Sequence, residues 1–182
     1  MNEIIQAMEE RRSIRKFKAE MPPMSQIEEI VEAGLYAASA RGKQSAIIVA
    51  ITNKEWRDRL ARANCAIGGW EGEFDPFYGA PAILVVLAAK GWPNRVYDGS
   101  LVMGNLMLAA HSLGLGSIWI HRAKEEFEMP EWRNLLQEIG IEGEWEGIGH
   151  CAVGYIEGEV PPAAPRREGR IFWVKPELVK LK

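Results

Sequence analysis

Residues 11–15 read Arg11-Arg12-Ser13-Ile14-Arg15, three arginines and a serine in five positions, directly after an apolar stripe of Ile4, Ile5, Ala7 and Met8. The stripe has helical spacing, so the arginines fall where a short opening helix runs out. Guanidinium groups this close repel one another unless water or an anion neutralises them. Arginine offers a planar fork of donors matched to phosphate, a serine hydroxyl adds another, and turn amides complete such a cradle. A solvated, charged helix end is the alternative. Neither a P-loop nor a dinucleotide GxGxxG motif occurs in the chain, so a phosphate bound here is held by other means.

A second basic cluster, Arg166, Arg167 and Arg170, lies near the C-terminus, while the 182-residue chain as a whole carries a formal charge of −3. Two local patches in an otherwise acidic protein suit a small anion better than a polyanion, which argues against nucleic-acid binding. The composition, 47% hydrophobic and 26% charged, is that of a globular domain of ordinary size. Cys65 and Cys151 are far apart and form no CxxC pair, so both read as buried thiols. No basic, then apolar, leader opens the sequence, and runs such as 80–89 are too short to span a bilayer. A cytoplasmic protein with no membrane contact is the expectation.

Along the chain, helices and strands alternate. Pro22-Pro23 breaks the opening segment. Ser25 with Glu28 has the form of a capping box, and Ile27, Ile30, Val31 and Leu35 predict a helix to about Ala38. Ala46 to Thr52 has strand length and β-branched character, and Asn53 is placed to cap a following helix. Residues 64–79 are rich in glycine and aromatics and read as loop. Pro81 to Ala89 is a continuous apolar run, as in a buried strand. Gly99 to Leu113 is apolar nearly all round, as in a core or interface helix. Ser117 to His121 predicts a short strand, Lys124 to Ile139 an interrupted helix restarting near Pro130, and Ile148 to Ile156 another strand. After Glu157, Pro161, Pro162 and Pro165 favour an extended arm. It ends in Ile171-Phe172-Trp173-Val174, a strand-like stretch able to pair with its own sheet or with another subunit. No repeat or second domain is visible, so residues 1–182 read as one domain of α/β or α+β type.

Arg11 to Arg15 resembles the N-terminal signature of the nitroreductase family, a helix ending in Arg-Arg-Ser-x-Arg. Leu35 to Gln44 resembles the family's second signature, Leu106 to Ile120 its interface helix, Gly-x-Gly turn and following strand, and Gly147 to Gly158 with Pro165-Arg166-Arg167 its C-terminal signature. Together these pieces cover nearly the whole chain in the family's order. The resemblance implies an α+β sandwich, a mixed central sheet flanked by helices, and a homodimer in which the C-terminal strand of the 157–182 arm is exchanged between subunits. It implies two FMN molecules at the interface. Arg11, Ser13 and Arg15 would hold the phosphate, ribityl chain and pyrimidine edge, with Arg12 contributing side-chain or backbone contacts, and Arg166 and Arg167 would approach the phosphate. Ala38, Ser39 and Ala40 would line the flavin from the other chain, and Trp119, Ile120 and His121 would pass near its ring. The implied reaction is ping-pong: NAD(P)H delivers a hydride to flavin N5, and a nitroaromatic or quinone then takes two electrons. No side chain is assigned as a general acid or base, because the cofactor carries the chemistry. A dehalogenase-like reaction on the same fold, or a flavin-binding module without turnover, is the alternative reading.

The second signature usually continues Gln-Pro-Trp, whereas this chain has Gln44-Ser45-Ala46, and Gly42 stands where asparagine is common. The chain is also short for the family, and its compact 64–79 segment leaves no room for a long helical excursion over the site, which predicts an open pocket. His111, His121 and His150 show no metal-type spacing, so no metal site is expected. Trp70, Trp92 and Trp119 are candidates to border the flavin.

Overall fold

In the computed structural model, residues 2–70 and 74–174 are described. Residues 71–73 of the 64–79 segment and 175–182 of the expected arm lie outside the described residues. The elements run α1 (Glu3–Glu10), α2 (Met24–Leu35), β1 (Ala46–Ile51), α3 (Lys54–Ile67), β2 (Ala82–Ala89), α4 (Arg95–Ser112), β3 (Gly116–Ile120), α5 (Ala123–Glu128), α6 (Pro130–Glu138) and β4 (Trp145–Gly154). The strands form one sheet in the order β1-β2-β4-β3. All three pairings are antiparallel. The parallel component of the expected mixed sheet is a single bridge, Ser13 to Ser117, at the β3 edge.

The continuous apolar run of β2 follows from the layering. Ile83, Val85 and Leu87 belong to a core on one face, with Leu60 of α3, Phe127 of α5 and Trp132 of α6. Leu84 and Val86 belong to a core on the other face, with Ile27 and Ile30 of α2 and Val102, Met103 and Leu106 of α4. Helices cover both faces of the sheet, so β2 has no wet side. Each such buried Val, Leu or Ile stabilises by roughly 1.5–3 kcal/mol relative to exposure.

Helix boundaries follow local chemistry. Asn53 Oδ1 accepts from the amides of Glu55 and Trp56, the cap its side chain predicts. Helix α2 differs from expectation. It begins at Met24 with Pro23 at the cap position and no side-chain cap. Ser25 therefore lies inside the first turn, and the helix ends at Leu35 rather than Ala38. Arg12 Nη1 donates to the carbonyls of Glu9 and Arg11, closing the C-terminus of α1 with a cation as the helix dipole favours.

Apolar surface remains uncovered. Helix α1 buries no residue, leaving Ile4 and Met8 about three-fifths exposed. Pro161 to Val174 form no helix or strand, and Ile171 to Val174 pair with no strand of their own chain among the described residues.

Candidate functional site

The arginine segment is anchored by its neighbours in sequence. The Ile14 amide donates to Ser117 O of β3 (3.1 Å), and the Phe17 amide donates to Tyr78 O (3.2 Å). Ile14 and Phe17 are buried in the core. Alternation along this extended stretch turns Ser13 and Arg15 away from that core. Arg11, Arg12, Ser13 and Arg15 line one wall of a cleft of about 850 Å³. The opposite wall is the arm, from Pro161 through Arg166. The two basic clusters, some 150 residues apart in the chain, are thus brought to one cleft, as far as Arg166. Arg167 is exposed and does not line it.

The arginines are not equivalent. Arg12 is engaged by the end of α1, and Arg166 donates twice to Ala164 O. Arg11 is different: its Nη1 is buried and finds no acceptor among the described residues. Its charge reaches Cys151 on β4. Burial pushes that thiol up to about 12, against the opposing pull of Arg11. Trp119 of β3 lies directly across from Cys151, and its Nε1 is likewise buried without an acceptor among the described residues. The indole sits on Gly149, where a Cβ would stand 2.4 Å from Nε1, so only glycine admits the ring there. Two donors are thus orphaned, one cationic and lining the arginine cleft, the other over Gly149. Such donors normally have partners. An anionic ligand in the cleft fits the first.

The end of β3 is held on both sides. Ile120 is buried and His121 exposed. Asn64 Nδ2 donates to His121 O (2.9 Å), and His150 Nδ1 lies 3.2 Å from Ile120 O. The rings of Trp119 and His121 are 6.0 Å apart.

Ala38, Ser39 and Ala40 are elsewhere. Ser39 shares a separate cleft of about 430 Å³ with Leu35, Tyr36, Ala37, Gly42 and Gln44. The turn Ala40–Gly42 that follows carries left-handed backbone at Arg41 (φ 56°), Gly42 (φ 62°) and, two residues on, Gln44 (φ 47°). Such backbone persists only where its surroundings enforce it. Here the Gln44 amide donates to Ser39 Oγ (2.9 Å), and the Ala40 amide donates to Asp98 Oδ1 (2.9 Å). Asp98 Oδ2 accepts from Ser45 Oγ (2.7 Å) and Trp92 Nε1 (2.9 Å). Burial acts to raise the Asp98 carboxyl. The Ala40, Ser45 and Trp92 donors together outweigh it and hold the group below its ordinary value. Asp98 and the Glu126–His150 pair, whose side chains meet at 2.5 Å, carry no local sequence signal. Each is recognisable only once distant segments are brought together. Of the tryptophans considered as flavin neighbours, Trp92 donates to Asp98, and Trp70 meets Phe74 edge-on and lies under the Arg122 guanidinium.

Among the described residues no group of three or more His, Cys, Asp or Glu could hold a metal ion, and no helix is long and apolar enough to cross a membrane.

The profile described as "Nitroreductase family" matches residues 8–67 and 68–155. An NADPH-flavin oxidoreductase of Vibrio harveyi is 33% identical over 129 residues, 66% of this chain and 54% of that protein. A relative from Methanothermobacter thermautotrophicus is 29% identical over 121 residues, 64% of this chain and 60% of its own length. The chain thus spans little more than half the length of these two relatives. Among solved structures, a Bacteroides fragilis nitroreductase with bound FMN superposes with a TM-score of 0.85 at 26% identity, covering 96% of this chain and 100% of that one.

Proposed function

The chain belongs to the nitroreductase family, and from that premise we propose that it is an FMN-dependent oxidoreductase drawing electrons from NAD(P)H to reduce nitroaromatic or quinone-type acceptors. The observation that carries this reading is Arg11 Nη1, a buried cationic donor without an acceptor among the described residues, in a cleft that Arg11 lines together with Arg12, Ser13, Arg15 and Arg166. The phosphate of FMN offers the acceptor it lacks.

In this reading Arg11, Ser13 and Arg15 bind the phosphate, ribityl chain and pyrimidine edge, Arg12 contributes through its backbone while its side chain closes α1, and Arg166 and Arg167 of the arm approach the phosphate. Trp119, Ile120 and His121 pass beside the ring, and Ala38, Ser39 and Ala40 of the partner subunit line it in a homodimer. Residues 1–182 form one domain, with 157–182 as the exchanged arm. Bound FMN supplies the redox chemistry, accepting a hydride from NAD(P)H and passing two electrons to the acceptor in a ping-pong cycle. The protein's own contribution is positional and electrostatic. An arginine at the pyrimidine edge favours negative charge developing there. None of the assigned residues is required to move a proton.

The absorbance spectrum of the purified protein tests this directly. Flavin bands, FMN released on denaturation at one per chain, and bleaching by NAD(P)H are the expected results. A colourless protein that fails to bind added FMN would overturn the reading.

A further inference from the structure

His150 of β4 and Glu126 of α5 are both wholly buried, with Nε2 and Oε2 2.5 Å apart, but the contact lacks hydrogen-bond alignment and neither atom has a hydrogen-bond partner among the described residues. On the far side of the ring, Nδ1 lies 3.2 Å from Ile120 O. A carbonyl only accepts, so Nδ1 carries a proton. The carboxyl and the imidazole are each other's nearest polar neighbour, and removing either leaves the other buried among apolar groups, which is costly.

The pair stands behind the end of β3. It fixes the carbonyl of Ile120, and Asn64 fixes that of His121. The chain then turns at Arg122 in the left-handed region (φ 80°) directly into α5, which carries Glu126. The start of α5 presses on β4: a Cβ on Gly147 would stand 2.1 Å from Ala123 O. A strained, non-glycine turn is thus clamped from two directions, as happens where backbone geometry matters to function. The neighbouring groups are otherwise apolar or distant. Phe77 stacks edge-on to His150 at 5.3 Å, and the Arg57 guanidinium lies beyond it, 5.5 Å from the Phe77 ring.

We propose that Glu126 and His150 are positioning residues that hold the Trp119–His121 segment in register with the flavin, a role that rests on the FMN reading above. Glu126 keeps the imidazole in place, and His150 Nδ1 in turn holds Ile120 O.

The FMN-loaded protein tests the proposal. Glu126→Gln keeps a donor facing Nε2 and should retain the flavin reduction potential and kcat/KM. Glu126→Leu should bind FMN, shift the potential and lower kcat/KM by up to roughly a hundredfold, as a misplaced site does. Equal potentials and equal kcat/KM in the two variants would overturn the positioning role. Failure of the unmodified protein to bind FMN would overturn the cofactor reading instead.

Discussion

The Ser45 hydroxyl donates to Asp98 Oδ2 across 2.7 Å in a buried setting, joining the residue before β1 to the first turn of α4. This is where the chain departs from the family's Gln-Pro-Trp. A proline at position 45 has no donor to offer, and the serine here completes the three-donor shell of Asp98. The carboxylate in turn holds the Ala40 amide and, through it, the left-handed turn at Arg41 and Gly42. The substitution is therefore part of a local support for the 38–45 segment.

Two variants check this. Ser45→Ala removes one of three donors and should cost about 1 kcal/mol. Asp98→Asn places an amide N–H group among donors and should cost about 1–3 kcal/mol in urea unfolding near neutral pH. The pH dependence has a definite sign. Because the Asp98 carboxyl is held below 3.8, its stabilising contribution is fully present above that value and is lost as pH falls through the lowered one. The gap between the unmodified protein and Asp98→Asn should shrink in melts taken below about pH 4.

Arg11 and Arg12 should separate in their effect on FMN. Arg11→Met removes a buried cationic donor and should weaken FMN binding by a factor of roughly ten to a hundred, as expected for a charged hydrogen bond worth about 1.5–3 kcal/mol. Arg12→Met should act mainly on α1, since that guanidinium already serves the helix carbonyls. Arg11→Lys should restore little, because a lysine lacks the planar fork. Fluorescence titration with FMN measures all three.

The two thiols should differ in reactivity. Cys151 is fully buried with its ionisation pushed up to about 12, so it offers no thiolate at neutral pH. Iodoacetamide should label Cys65, which is partly exposed, and spare Cys151 until the protein is denatured. Mass spectrometry of peptides reads the outcome. Labelling of native Cys151 would mean that β4 opens.

Gly147→Ala should be among the most damaging single substitutions. Its Cβ would meet backbone, Ala123 O at 2.1 Å and Lys124 N at 2.6 Å, and backbone cannot rotate away. A loss of about 3 kcal/mol or more is expected, read as a fall in the thermal midpoint.

Particular elements show what the sequence made legible. Asn53 announces α3 because its side chain bonds the helix it precedes. The run 81–89 announces β2 because both faces of the sheet are covered, and that burial holds here in a fully antiparallel sheet. Ser25 misleads: the pattern with Glu28 is right, but Pro23 starts the helix earlier, and a serine inside the first turn caps nothing. The first turn of α4 is hidden because Arg95 and Asp98 look solvent-facing. In the fold they bond Glu146 and the Ser45–Trp92 group. Strand β4 begins at Trp145, earlier than Ile148, because Glu146, Gly147 and Gly149 interrupt its apolar pattern. At the site, Arg11 to Arg15 and Arg166 could be picked out by residue type alone. Glu126 and His150 could not, since a buried charge is recognised by its partner, and the partner lies on another element.

The uncovered tail has a kinetic consequence. Ile171, Phe172, Trp173 and Val174 are 74%, 85%, 77% and 88% exposed, an apolar cluster that the described residues leave in water. If a second copy covers it, the final stage of maturation is a collision, and its rate rises with concentration. Recovery from denaturant should then be first order while the sheet and its helices form and second order thereafter. Very dilute chains would linger with the cluster bare, the interval in which such surfaces capture wrong partners.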